Sequence, residues 1–416
     1  MNGALYQEIL FYMQKKNLSR TDLALHSEIP ISDISRIFNH KQPLNMQKLD
    51  AITDALGLPE GHFYSFYVEE CFNKNGHLDK RRSEQFLYKC VILGHKKHSD
   101  KIISAMLEEK SKTIRNKNLT YIFFIAEKLF KEGRETEALS LYEVFIDNEP
   151  NRFTEQVAIS YFRQFYILKG AEKVQHALVH VLEYLAYLPF NIRTEATLWI
   201  MAVYYRREEW EEVLYYAKKL EQIADSDIRF GSALMYQSYA LNRLDGSLKE
   251  ILHLTDRYSV VNDYFYELAE GNRLYFLLEN GQLEHVDDYL KWLEKRDDIY
   301  VGLPRVLEAY VNSNRLEDAR RLLVRFQDVI EDLAISKEPW IKEKMYMDFK
   351  YAHALYLCKS KAFVEGLNEL LDIATVANKI RNFERLKKCI LVYWGYRQYA
   401  TVEHEAKFIE LLSTGK

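Results

Sequence analysis

AVYYRREEWEEVLYYAKKLEQI, residues Ala202 to Ile223, reads as a helix, a short polar turn and a second helix. Ala202, Trp210 and Tyr216 are residues that pack two helices back to back, while the charged run around Glu208 has nothing to bury. The same grammar appears upstream: Ala126 lets helices approach, Gly133 turns the chain, Ala138 and Tyr142 pack the second helix back, and Pro150 stops it. It returns downstream in YFLLENGQLEHVDDYLKWL (Leu278, Gly281, Tyr289) and in VNSNRLEDARRLLVRF (Asn314, Ala319, Leu323). The turn residues Gly133, Gly170, Glu208, Asp245, Gly281 and Asn314 are separated by 37, 38, 37, 36 and 33 residues. That spacing is close to the 34-residue helix-turn-helix unit of tetratricopeptide repeats. One such pair cannot bury its apolar face alone, so stacking predicts an α-solenoid with a concave surface; an irregular helical bundle is the competing arrangement.

Composition points the same way. The 416 residues hold 15 Gly and 7 Pro, about half and about a third of ordinary usage, with 30 Tyr and 48% hydrophobic residues. A chain with few places to turn and much to bury favours long packed helices over sandwiches or disorder. No strand alternation is visible, and the fold class expected is all-α. Pro30, Pro43 and Pro59 punctuate an N-terminal unit, and only Pro150, Pro189, Pro304 and Pro339 follow. The opening residues begin an amphipathic segment without the pattern of a signal peptide, and the longest apolar stretch, Ala196 to Tyr205, is too short to span a bilayer. A cytoplasmic protein without a membrane partner is expected. Cys71, Cys90, Cys358 and Cys389 lie far apart with no CxxC pair, as four reduced structural thiols would. With 57 basic and 61 acidic residues, the net charge of −4 advertises no nucleic acid, so any DNA contact must be local.

Residues 17 to 58, NLSRTDLALHSEIPISDISRIFNHKQPLNMQKLDAITDALGL, build a second kind of unit. Ser19, with Asp22 three residues on, makes a variant of the capping box. Leu23 and Ala24 face inward, Glu28-Ile29-Pro30 breaks the helix, and Ser32 starts the next, whose Ile34 and Ile37 share a buried face. Leu49, Ile52 and Leu56 supply a supporting helix. Two short helices joined by a tight turn, the second polar outside, form the arrangement that inserts into the major groove. On Ala24, Ile29, Ile34, Ile37 and the run IPISDISRIFNHK, residues 4 to 58 resemble the xenobiotic-response-element class of helix-turn-helix domains. Glu28 departs from that class, standing where a glycine usually permits a left-handed turn.

The resemblance implies that Ile31, Ser32, Asp33 and Arg36 lie at or near base edges, Arg36 pairing with guanine and Asp33 accepting from cytosine. It further implies that Arg20, Ser35, Asn39, Lys41 and Gln42 position phosphates. Residues 1 to 58 carry six basic and six acidic side chains, so one copy should hold double-stranded DNA weakly. A homodimer would double the contacts and set the half-site spacing. The division expected is a helix-turn-helix domain over 1–66, a helical linker over 67–115, and a repeat domain over 116–416 for peptide binding and dimerisation. In the linker, the basic Lys80, Arg81 and Arg82 either touch flanking phosphates or begin a solvated helix.

A helix-turn-helix followed by such repeats resembles the RRNPP family, the peptide-pheromone-sensing transcription regulators of Gram-positive bacteria, to which the phage arbitrium receptors are similar in layout. That resemblance implies a short signalling peptide on the concave face, shifting the dimer between states of different DNA affinity. A solenoid groove holds an extended peptide with side-chain amides, guanidinium groups and aromatics. The first helices of the pairs carry Arg163, Gln164, Tyr205, Gln237, Asn242, Asn272, Arg273, Tyr275 and Asn312 as candidates. Alternatives are an arbitrium-type lysis-lysogeny receptor, or an interaction scaffold whose helix-turn-helix reads no DNA. No phosphate loop, GxSxG elbow or HExxH appears. His176 and His180 share a helix face but have no fixed third ligand. No enzyme, cofactor or metal site is expected.

Overall fold

The structure, a computed structural model, describes residues 3–73, 76–171, 174–335 and 341–413; Pro339 lies outside them. Among the described residues there is no strand, only an isolated antiparallel bridge between Phe72 and Leu78. The chain is all-α, as its composition predicts, and it divides into two compact units, Met1–Ile167 and Leu168–Lys416. The boundaries expected at 66 and 115 both fall inside the first.

The first unit runs through α1 (Ala4–Lys15), α2 (Arg20–His26), α3 (Ile31–Phe38), α4 (Met46–Ala55), α5 (Tyr64–Tyr67), α6 (Lys80–Ile92), α7 (Lys96–Leu107), α8 (Lys112–Lys131), α9 (Glu135–Asn148) and most of α10 (Glu155–Leu168). The capping box forms as read: the Asp22 N–H donates to Ser19 Oγ at 3.2 Å and the Ser19 N–H donates to Asp22 Oδ2 at 2.8 Å. α3 begins one residue earlier than expected, at Ile31, because Pro30 with ψ 135° provides the cap and cannot itself continue the helix. Leu23, Ile34, Ile37, Leu49, Ile52 and Leu56 are fully buried and make the small core of α2, α3 and α4. α5 seals that core from below: Tyr67 Oη donates to the Leu44 carbonyl at 2.9 Å, and Lys89 of α6 bridges Asp50 (3.0 Å) and Glu60 (2.6 Å). The helix-turn-helix is thus seated on the linker helices rather than tethered to them.

The second unit comprises α11 (Val174–Tyr184), α12 (Phe190–Arg206), α13 (Trp210–Ile223), α14 (Asp227–Arg243), α15 (Leu248–Ser259), α16 (Asp263–Glu279), α17 (Val286–Leu293), α18 (Leu303–Asn312), α19 (Leu316–Arg325), α20 (Gln327–Ile335), α21 (Ile341–Lys359), α22 (Phe363–Lys379), α23 (Phe383–Tyr396) and α24 (Val402–Ser413). One backbone device ends most first helices. A residue of positive φ is followed by an N–H that donates back to the carbonyl five residues earlier: Glu209 to Tyr204 (3.1 Å), Gly246 to Leu241 (2.8 Å), Gln282 to Leu277 (3.0 Å) and Arg315 to Tyr310 (2.8 Å). In the first unit, Arg134 does the same to Leu129 at 2.9 Å. This closure satisfies carbonyls that a helix end leaves orphaned, so five of the six evenly spaced turn residues mark one repeated cap; Gly170 is the exception, without positive φ, and there the Ala171 N–H donates to the Leu168 carbonyl at 2.8 Å.

Two further caps of this kind, at Lys361 (φ 69°) and Arg381 (φ 61°), have no glycine or asparagine to mark them and carry the repeat beyond Asn314. α20 interrupts the period there, which is why the sequence spacing loses the repeat at that point. Gly231 serves a different need, since a Cβ there would lie 2.2 Å from the Phe265 ring that packs α16 on α14.

Candidate functional sites on the recognition helix and the repeats

The sharp turn between α2 and α3 puts Glu28 at φ +54°, the left-handed conformation that the missing glycine foretold. Beyond it, α3 turns Ile34, Ile37 and Phe38 into the core and leaves Ile31, Ser32, Arg36, Asn39 and Lys41 exposed, with Arg20 exposed at the start of α2. Arg20 stacks its guanidinium 5.2 Å from the Phe38 ring centroid. Asp33, Ser35 and Gln42 are half-buried. Asp33 is held across to α4, accepting from Lys48 Nζ at 2.6 Å, and that bond keeps its carboxyl below the ordinary range. The loop after α3 folds back through Lys41 N–H and Gln42 N–H, both donating to the Arg36 carbonyl.

Neutrality of the whole unit therefore conceals a local bias. Asp22 is engaged in its cap, Asp33 with Lys48 and Asp50 with Lys89, while Arg20, Arg36 and Lys41 stand exposed around α3. The basic triplet of the linker divides: Lys80 lies 4.3 Å over the Tyr121 ring, Arg82 pairs with Asp79 (3.4 Å) and Glu70 (3.8 Å), and Arg81 is exposed.

On the repeats, the expected peptide contacts separate into three groups. Tyr205, Asn272 and Tyr275 come together with Tyr239, Tyr289, Trp292 and Arg305 around a cavity of about 80 Å³. Tyr239 and Tyr275 occupy equivalent places on α14 and α16, six residues before the positive-φ caps at Asp245 and Gly281, and Tyr205, near the end of α12, extends them into a ladder of rings at 6.0 and 5.6 Å. Asn272 is spent inside it, accepting from Tyr239 Oη (2.8 Å) and donating to Tyr258 Oη (2.9 Å). A second group is paired with neighbours: Arg163 donates to Glu127 at 3.0 Å in the first unit, Gln237 donates to Glu221 at 2.6 Å, and Arg273 pairs with Asp256 at 2.5 Å. Gln164 is half-buried and Asn312 exposed. Asn242 lines a separate, wider groove of about 750 Å³, with Trp210, Arg243, Glu279, Phe383 and Lys388 among its walls.

The most heavily buried polar cluster was not among the expected sites. Glu208, at the α12–α13 turn, is 3% exposed and accepts from Arg385 Nη2 at 3.0 Å and Lys344 Nζ at 3.4 Å. Asp348 of α21 accepts from the same two cations at 2.5 and 2.8 Å. Alongside, Arg206 pairs with Glu343, the Asn382 amide donates to the Arg206 carbonyl at 3.3 Å, and Glu279 sits between Arg243 (2.7 Å) and Arg305 (3.2 Å). Burial by itself would raise the Glu208 carboxyl, but the pull of Arg385, Lys344 and Lys388 overrides it and holds the group well below its ordinary range. α21 is thereby fastened across the face on which Tyr205 and Tyr275 stand, and its Met345 and Asp348 form part of the cavity wall. The i, i+4 pair Lys344 and Asp348 was visible in the sequence, and so was the oddity of an acidic residue in a turn. Their long-range partners were not.

His176 and His180 stack edge to face at 4.6 Å, and burial lowers the His180 imidazole. All four cysteines are buried, and burial raises the Cys90 thiol to about 12. No helix among the described residues is long and apolar enough to cross a membrane.

Fold and sites together define an all-helical protein, a helix-turn-helix domain followed by tetratricopeptide-like repeats. No protein-family model and no curated protein matches the chain. Among solved structures it is similar to one described as "Structure of SeMet-phAimR", at 14% identity, covering 97% of this chain and 99% of that one with a TM-score of 0.38.

Proposed function

We propose that the protein is a cytoplasmic DNA-binding transcription regulator, active as a homodimer, whose repeat domain binds a short signalling peptide that alters DNA affinity. The observation that carries the DNA reading is the state of α3: its apolar residues Ile34, Ile37 and Phe38 close the core while Ser32, Arg36, Asn39 and Lys41 stay exposed. Among the described residues, Asp22 and Asp33 are engaged by Ser19 and Lys48, which leaves Glu28, exposed in the turn before α3, against the exposed cations Arg20, Arg36 and Lys41. Ile31, Ser32 and Arg36 are assigned to base edges, and Arg20, Ser35, Asn39, Lys41 and Gln42 to phosphates. Asp33 acts from its bond to Lys48, fixing α3 against α4. For the peptide, Tyr205 and Tyr275 at the cavity and Asn242 in the wider groove are the assigned contacts; a cavity of about 80 Å³ takes one side chain, and the groove takes the backbone. Arg163, Gln164, Gln237, Asn272, Arg273 and Asn312 shape or flank these surfaces.

A gel shift of the purified protein on its own upstream DNA at low salt tests the reading. Retardation is expected, and Arg36→Ala should weaken it by about tenfold or more, as loss of a bidentate base contact does. No retardation in low salt, with or without candidate peptides, would remove the proposal.

A further inference from the structure

We propose that Ile31 selects thymine at one position of each operator half-site by packing on the 5-methyl group; the inference rests on the DNA-binding reading above. α3 contains four large apolar residues, and three of them, Ile34, Ile37 and Phe38, are 0%, 0% and 8% exposed. Ile31 is 47% exposed at the first position of the helix. The apolar contact that usually fixes a helix start, between the residue before the cap and the fourth helical residue, falls to Ile29 and Ile34, both buried. Phe11 and Leu25 are exposed elsewhere in the domain, at 54% and 75%, but on α3 Ile31 is the one large apolar residue that the core does not use, and it stands beside the exposed Ser32 and Arg36.

The chemistry of the major groove supplies a use. Among the four bases only thymine presents a methyl group there, so an isoleucine gains contact against thymine and leaves donors or acceptors unpaired against the others. Its exposed neighbours, Ser32 and Arg36, are polar and suit adjacent bases, while Asp33, drawn 2.6 Å from Lys48, is kept from competing for the same position.

The test uses the full chain and a library of random duplexes of about 20 base pairs, from which bound sequences are enriched at low salt. Each thymine of the selected duplex is then replaced by deoxyuridine, which removes only the methyl, and binding is followed by fluorescence anisotropy. One thymine per half-site should lose about three- to fivefold in affinity on replacement, the worth of one buried methyl. In Ile31→Ala that loss should vanish, with unchanged circular dichroism. Tolerance of deoxyuridine at every position, or an equal loss in Ile31→Ala, overturns the inference while the DNA reading stands. A change of sedimentation coefficient in Ile31→Ala also overturns it, assigning the side chain to a protein contact. If no duplex is retained at all, the DNA reading fails and the inference with it.

Discussion

Glu208 adopts φ +59°, a conformation in which a side chain costs about 1 kcal/mol more than glycine, and it is nearly buried besides. Lys361 and Glu28 bear the same backbone strain, at φ 69° and 54°, but are exposed. The difference lies in what the side chain touches. Glycine at Lys361 or Glu28 should relieve strain without losing a partner, raising stability by up to about 1 kcal/mol, measured by thermal or urea unfolding. Glycine at Glu208 should do the reverse, since it leaves the buried Arg385 and Lys344 with Asp348 as the one carboxylate they share; a loss of roughly 3–5 kcal/mol is expected. A Glu208→Gly protein as stable as the parent would show that the ion pairs contribute nothing.

Among the helices, α21 stands apart because two of its side chains, Lys344 and Asp348, are charged and buried. Burying four charges is costly, and they are tolerable only as a complete set in which each has opposite-charge neighbours. Replacing Arg385 with Met leaves Glu208 and Asp348 sharing Lys344, with Lys388 3.9 Å from Glu208 as the other cation; unfolding should become easier by about 3–5 kcal/mol in the second unit. The acidic members also give α21 a pH dependence. Glu208 and Asp348 titrate below their ordinary values of 4.5 and 3.8, so an unfolded chain takes up protons before the folded one. Their contribution is complete above about pH 4.5 and lost as pH falls through the depressed values. Melting curves from pH 7 to 3 should show the stability gap between the protein and Glu208→Gln narrowing below pH 4.5. A constant gap would place the Glu208 carboxyl at its ordinary value.

For the whole molecule, the homodimer of the proposed function has a candidate surface on α23 and α24. α23 and α24 are joined by the stacked rings of Tyr393 and Phe408 at 4.7 Å, yet Leu391, Trp394, Ile409 and Leu412 are 62%, 55%, 63% and 59% exposed. Exposed apolar side chains grouped in this way suit a protein contact. Leu391→Asp with Ile409→Asp should turn a dimer into monomers in analytical ultracentrifugation and reduce DNA affinity at a two-half-site operator by at least tenfold. Dimers that persist would move the interface elsewhere.

How much could be read beforehand follows the range of each interaction. The capping box at Ser19, the strained turn at Glu28, the buried face of α3 and the caps at Gly133, Glu208, Asp245, Gly281 and Asn314 depend on residues within a helical turn or two of each other, and the linear order of the chain already contains them. The caps at Lys361 and Arg381 escaped because their residue types do not mark a left-handed position, and the inserted α20 broke the count. Asn272 and Arg163 looked like ligand contacts because type and position alone cannot say whether a polar side chain meets a peptide or a neighbouring Tyr or Glu. The sequence by itself determined an all-helical chain of one N-terminal helix-turn-helix and repeated helix pairs, since local periodicity and capping suffice for that. Only the tertiary structure decided that Glu208 meets Lys344 and Arg385, 136 and 177 residues away, and that α21 lies against the tyrosine ladder. Such pairings depend on the accumulated angle of every helix pair between them, a quantity that no single stretch of residues carries.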